Sequence, residues 1–143
     1  IMRLELADSV ERFDAATVDR TDPEAALRAA VAGALQASPI DALQRRILQN
    51  HMDLLATERA SAKEEAERLQ SRDLVKDIEQ RWTALIARGM DAGVFAEGDA
   101  KTVGRLVLAL VISVWRWYRP NGAATLDEIA DTVTTAALKM VRA

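Results

Sequence analysis

A chain of 143 residues that is half hydrophobic and 4% aromatic, with six glycines and three prolines, makes one domain with a real core. It is too poor in turn formers for a β architecture and suits an all-helical one. The absence of cysteine excludes disulfides, thiolate catalysis and Cys-ligated zinc or iron–sulfur sites. A formal charge of −3 argues against a nucleic-acid surface on this piece.

The first predicted helix covers 1–18, with Met2, Leu6, Val10 and Phe13 on one face. Its opening residues include Arg3, Glu5 and Asp8, so it is not a signal peptide. A chain that starts Ile-Met reads as part of a longer protein. The helix ends before Thr21-Asp22-Pro23-Glu24. There Asp22 can cap a second helix and Pro23 can take its first position, where the missing N–H has no helical partner to lose. Leu27, Val31, Ala34 and Leu35 make that helix's stripe. Ser38-Pro39 repeats the start signal for a helix over 40–55, with Ile40, Leu43, Ile47 and Leu54 in line and Leu48, Met52 and Leu55 alongside.

Residues 58–72, "ERASAKEEAERLQSR", read as a solvated helix face laced with ion pairs. Ile78, Trp82, Leu85 and Ile86 form the next stripe, on a helix expected to be capped by Asp73 and to run toward Gly89 or Gly93. The stretch "GVFAEGD" is a loop. The segment 100–118 is apolar on more than one side, through Val103, Leu106, Val107, Leu108, Leu110, Val111, Ile112 and Val114. Such a helix needs several neighbours. Pro120 ends it. Thr125-Leu126-Asp127-Glu128 has the form of a capping box, opening a last helix with Ile129, Ala130, Val133, Ala137, Met140 and Val141 on one face. No run of about eighteen apolar residues exists, so nothing spans a membrane, and the compartment expected is the cytoplasm.

Charge and aromatics are unevenly spread. Residues 1–39 hold seven acids and four bases, whereas residues 99–120 hold one acid, Asp99, and four bases, Lys101, Arg105, Arg116 and Arg119. Trp115, Trp117 and Tyr118 cluster with two of those arginines in "SVWRWYRPNG".

The tools of an enzyme are missing. No Glu-x-x-His pair, Gly-x-Ser-x-Gly elbow or Gly-rich phosphate loop occurs. Glu64, Glu65 and Glu67 sit in the hydrophilic stretch, where water leaves carboxylates unperturbed. No catalytic residue, metal site or cofactor is expected. The single histidine, His51, reads either as a hydrogen-bonded, partly buried side chain or as a polar contact in a ligand cavity.

A helix ending "ARGMDAGVF", an acidic turn at Asp99, a long apolar helix, a "WYRP" and Asn-Gly stop and a capped last helix together resemble the C-terminal effector and dimerisation domain of TetR-type transcriptional regulators. The likeness is strong over 78–122 and looser over 1–75. It implies a bundle of about six to seven helices, the last two forming a four-helix interface in a homodimer. DNA would be bound only through an N-terminal helix-turn-helix domain absent from this chain. "RWYRP" after the apolar helix looks most like the steroid-catabolism repressors, whose effectors are acyl-CoA thioesters. Arg105 and Arg116 match cationic positions of those relatives. Leu108 and Ile112 stand where they carry Arg and Trp, which points to a more apolar pocket.

On this resemblance a small apolar or amphipathic effector, an acyl-CoA thioester among the options, fills a cavity between 40–55, 78–90 and 100–118. Ile47, His51, Leu55, Trp82, Ile86, Arg105, Leu108, Ile112, Trp115 and Arg116 are expected to line it. Val107, Leu110, Val114, Trp117, Ile129, Val133, Ala137 and Met140 are expected to face the two-fold mate. The first helix would carry the ligand's effect to the DNA-binding heads. The competing reading is a helical dimerisation or protein-docking module with no small-molecule effector.

Overall fold

A computed structural model describes residues 2–56 and 61–143, with the side chains of Leu54 and Ala56 set aside. Residues 58–60 of the charged stretch therefore lie outside the described residues. Among the described residues six α-helices follow one another: α1 (Met2–Thr17), α2 (Pro23–Ala34), α3 (Pro39–Asn50), α4 (Ala62–Asp91), α5 (Ala100–Trp117) and α6 (Leu126–Val141), with a 3₁₀ turn at Met52–Ala56. The fold is all-α. Among the described residues the only strand-like pairing is an isolated bridge between Phe95 and Arg142.

The helix starts are chemical. Asp22 accepts from the Ala25 amide with Pro23 next in line. Ser38 and Asp41 form a reciprocal box at the head of α3, and Thr125 and Glu128 form one at the head of α6. Each satisfies amide donors that the first helical turn cannot pair internally. Asp99 accepts from the Lys101 amide at 3.1 Å and the Thr102 hydroxyl at 2.6 Å, opening α5.

Three expectations are corrected. Asp73 caps nothing, because α4 is one helix of 30 residues that begins at Ser61, whose hydroxyl accepts from the Glu64 amide. The stretch 62–77 is rich in strong helix formers and free of glycine and proline, so nothing stops the helix at 73. It is not all solvated either. Ser71 is buried, and Arg68 pairs with Glu65 and donates to the Leu55 carbonyl at 2.9 Å, tying α4 to the 3₁₀ turn. The helix expected over 40–55 stops at Asn50, where the His51 amide turns back to the Leu48 carbonyl.

The core gathers Leu27 and Val31 of α2, Trp82, Leu85 and Ile86 of α4, Val107, Val111 and Val114 of α5, and Ala137, Leu138 and Val141 of α6, with Leu35 and Phe95 from the connections. Close approach is bought with glycine at two points. A Cβ on Gly89 would lie 1.9 Å from the Phe95 ring, and one on Gly104 would lie 3.1 Å from the Thr83 backbone, where α4 and α5 cross.

The helix α5 carries three faces at about 100° per residue, the outward one nearly opposite the cavity face and the core face between them. Gly104, Val107, Val111 and Val114 enter the core. Leu108, Ile112 and Trp115 turn to an internal cavity. Leu106 and Trp117 point outward, 53% and 54% exposed, and Leu110 on the same side is half-buried against the core. Of the residues expected at a dimer face, Val107, Val114, Ile129, Val133 and Ala137 are therefore buried within the chain itself. Positions 107 and 114 align with 111, whereas 110 and 117 align with 106, so one expected stripe is in fact two.

Candidate functional site

Between α1, α3, α4 and α5 lies a cavity of about 100 Å³. Its walls follow from helix periodicity. Leu6 and Phe13 on α1, Leu48 on α3, Ile78 and Trp82 on α4, and Leu108, Ile112 and Trp115 on α5 all turn their inner faces to it, and Ala30 and Ala34 of α2 close the back. The Phe13 and Trp82 rings meet at 5.1 Å and 59°. Trp115 packs edge-on to Tyr118, with centroids 6.4 Å apart. Small alanines opposite large rings leave space that no side chain fills.

One end of this apolar space is charged. Arg45, 5% exposed, reaches from α3 with its guanidinium carbon 4.8 Å above the Trp115 ring. Its Nε donates to a Glu5 carboxylate oxygen at 3.1 Å, and its Nη1 donates to the carbonyls of Ala34 at 3.3 Å and Gln36 at 2.7 Å. Arg12 sits beside them, its Nη2 at 3.6 Å from the same Glu5 oxygen and 3.0 Å from the Ser9 hydroxyl, and it also pairs with Asp8. Burial above all, then the like charge of Arg12, presses the Arg45 pKa below the ordinary arginine value, while Glu5 and Asp41 oppose the shift. An arginine stays protonated regardless, so the cavity keeps a fixed positive pole.

A more open groove of about 330 Å³ adjoins the cavity, lined by Met52, Leu55, Arg72, Val75, Lys76, Glu79 and Arg105. Met52 and Val75 border both spaces. Arg105 reaches Glu79 at 3.6 Å across it.

Of the residues expected to line an effector site, Trp82, Leu108, Ile112 and Trp115 come together in the cavity. Leu55 and Arg105 lie in the adjoining groove. Ile86 is in the solid core. Ile47 faces outward at 52% exposure. His51 is exposed, its Nδ1 2.7 Å from the Ile47 carbonyl. The Arg116 side chain is exposed, and its carbonyl accepts from Arg46.

Sequence reasoning missed Glu5, Ser9, Arg12, Arg45 and Gln49. Of the two apolar lines it read on this segment, Ile40, Leu43 and Ile47 are exposed, whereas Leu48 and Met52 of the other line the cavity together with Arg45. The available signal was Arg45 itself, a charge in register with Ala42 and Leu48 on a helix flank. Among the described residues no group of three His, Asp or Glu side chains could hold a metal ion, and no helix is long and apolar enough to cross a membrane.

Residues 20–141 match the family described as tetracyclin repressor-like, C-terminal domain. No curated protein matches. Among solved structures, the ketosteroid transcriptional regulator KstR2 of Mycobacterium tuberculosis is similar with a TM-score of 0.85 at 19% identity, over 100% of this chain and 70% of that one. The TetR-family regulator PfmR of Thermus thermophilus gives 0.75 at 23% identity, over 96% and 73%. AibR, in complex with isovaleryl coenzyme A and operator DNA, gives 0.64 at 15% identity, over 94% and 71%. At these identities the likeness is one of fold.

Proposed function

The chain belongs to the tetracyclin repressor-like C-terminal domain family, and on that premise we propose that it is the sensing and dimerising part of a ligand-responsive transcriptional regulator of the cytoplasm. The observation that carries this reading is the largely apolar cavity whose roof is α1. A ligand there touches the first helix and the three helices beneath it at once. If it prefers one arrangement of them, it shifts their equilibrium by its differential affinity and by no more. On this reading DNA-binding heads outside this chain follow α1, and binding to two half-sites about one helical turn apart responds to their spacing. Release from DNA on ligand binding, the repressor mode, is the direction proposed.

The homodimer is placed on the outward face of α5 and α6. Exposed Leu106 and Trp117 and half-buried Leu110 stand there with Met140, which is 44% exposed, and α6 adds Thr132, Thr135 and Ala136 with the charged Glu128 and Lys139 on the same stripe. Two copies meeting through this face form a self-complementary four-helix contact with an aromatic anchor. The effector is small and apolar or amphipathic. AibR holds an acyl-CoA thioester; here the cavity has room for the acyl part alone, and a nucleotide part would have to lie in the adjoining groove among Arg72, Lys76 and Arg105. Catalysis has no part in the proposal.

Native mass spectrometry of the purified chain tests both halves. A dimer carrying a small-molecule mass that is lost on denaturation is expected. A monomer with no added mass, unchanged when apolar acids, alcohols and thioesters are supplied, would overturn the reading in favour of a docking module.

A further inference from the structure

The polar pole of the cavity is unbalanced. Three ionised side chains line it, Glu5, Arg12 and Arg45, and two are cations sharing one carboxylate. Asp8 also pairs with Arg12, but its side chain is 54% exposed and it does not line the cavity; water screens it. The donors are not used up. Among the described residues the buried Nε of Arg12 has no acceptor, and Arg45 Nη2, which is not fully buried, makes no hydrogen bond beside those of Nε and Nη1. A guanidinium presents parallel N–H groups that match the two oxygens of a carboxylate, and unpaired buried donors favour whatever satisfies them. The other walls are apolar rings and branched chains.

We propose that the cavity's ligand is a short apolar monocarboxylic acid, its chain against Trp82, Leu108 and Ile112 and its carboxylate taken up by Arg12 and Arg45 in exchange for Glu5. This rests on the effector reading above and names its chemical class. The free acid is favoured over a thioester because the cationic groups stand inside the cavity, where a thioester would present an uncharged carbonyl. The nucleotide head of a coenzyme A thioester is far too large for about 100 Å³ and would stay outside. The exchange also supplies a signal. Glu5 belongs to α1 and Arg45 to α3, so a ligand carboxylate that takes Glu5's place on Arg45 releases the one ion pair by which the described part of α1 holds α3.

The test is calorimetric titration of the full chain with hexanoate, hexanol and hexanoyl-CoA, on the parent protein and on Arg12→Gln and Glu5→Gln variants checked for folding by thermal melting. Hexanoate is expected to bind about tenfold or more tighter than hexanol, the range a charge-assisted hydrogen bond gives. Arg12→Gln should remove that preference and leave hexanol binding unchanged. Glu5→Gln, which removes the competing carboxylate, should tighten hexanoate alone. If Glu5→Gln does not fold, Arg12→Gln carries the test. Equal binding of acid and alcohol, or tight binding of hexanoyl-CoA with none of hexanoate, overturns the carboxylate assignment and leaves the effector reading standing. Binding of none of the three overturns it too; the effector reading then falls with it only if the purified chain also carries no small-molecule mass.

Discussion

Phe95 lies flat in the space that a side chain at position 89 would need, so Gly89 is a packing residue rather than a hinge. A methyl group there would push the ring out of a site where it is 2% exposed. Gly89→Ala should destabilise the fold by about 1–3 kcal/mol or more, the usual cost of overpacking a filled core, read as a lower midpoint in urea unfolding. Arg45 is the opposite case, a charge the core tolerates because its partners surround it. Arg45→Met leaves Glu5 with Arg12 alone and strands the carbonyls of Ala34 and Gln36, and should cost about 3 kcal/mol. Replacing Glu5 by Met as well should restore part of that loss, because the weakly paired carboxylate goes with it while the carbonyls stay unpaired. Equal stability of the single and double variants, by chemical denaturation, would show that the pair contributes nothing.

At the scale of elements the ends of helices were legible and their inner faces less so. Asp22-Pro23, Ser38-Pro39 and Thr125 with Glu128 are local signals, since a cap is decided by residues three apart, and all three stand where the sequence puts them. Asp73 misled because an acidic residue is a good cap and also an acceptable interior residue; only the absence of a stop signal nearby distinguishes the cases. On α3 two apolar lines compete, and periodicity cannot say which one is covered. Thr125→Ala should lower stability by about 1 kcal/mol, measurable as a shift in melting temperature.

The acidic caps also make stability depend on pH. Hydrogen bonds from Ser38 to Asp41 and from Thr102 to Asp99 hold both carboxyls below their ordinary pKa, and Arg142 does the same for Glu24. Their contribution is fully present above the unfolded carboxylate value of about 4 and is lost as pH falls through the lower folded values. Melting temperature should therefore drop on acidification below about pH 4, and Asp99→Asn should flatten that drop. A melting temperature that does not change between neutral and acidic pH would contradict this.

For the whole molecule, fold class and the cavity's floor could be read from sequence, since Trp82, Leu108, Ile112 and Trp115 were expected there and line it. Its roof could not. The polar side of α1 carries Glu5, Ser9 and Arg12 into the cavity, and a polar face is read as wet until something is known to cover it. The stripe expected at a dimer face divides for the same geometric reason that α5 has three faces: Trp117 and Met140 are exposed, Leu110 is half-buried, and the other expected residues pack in the chain's own core. Trp117→Glu should give a monomer on sedimentation with little change in the melting temperature of the subunit, because the ring is 54% exposed within it.

A ligand in the cavity is expected to move α1. The chain has no cysteine, so a single Leu4→Cys substitution at an exposed position of α1 accepts one spin label per subunit. Pulsed electron resonance then reads the distance between the two α1 helices of the dimer. The account predicts one distance distribution for the empty dimer and a displaced one at saturating hexanoate; an unchanged distribution with the cavity demonstrably filled would contradict it.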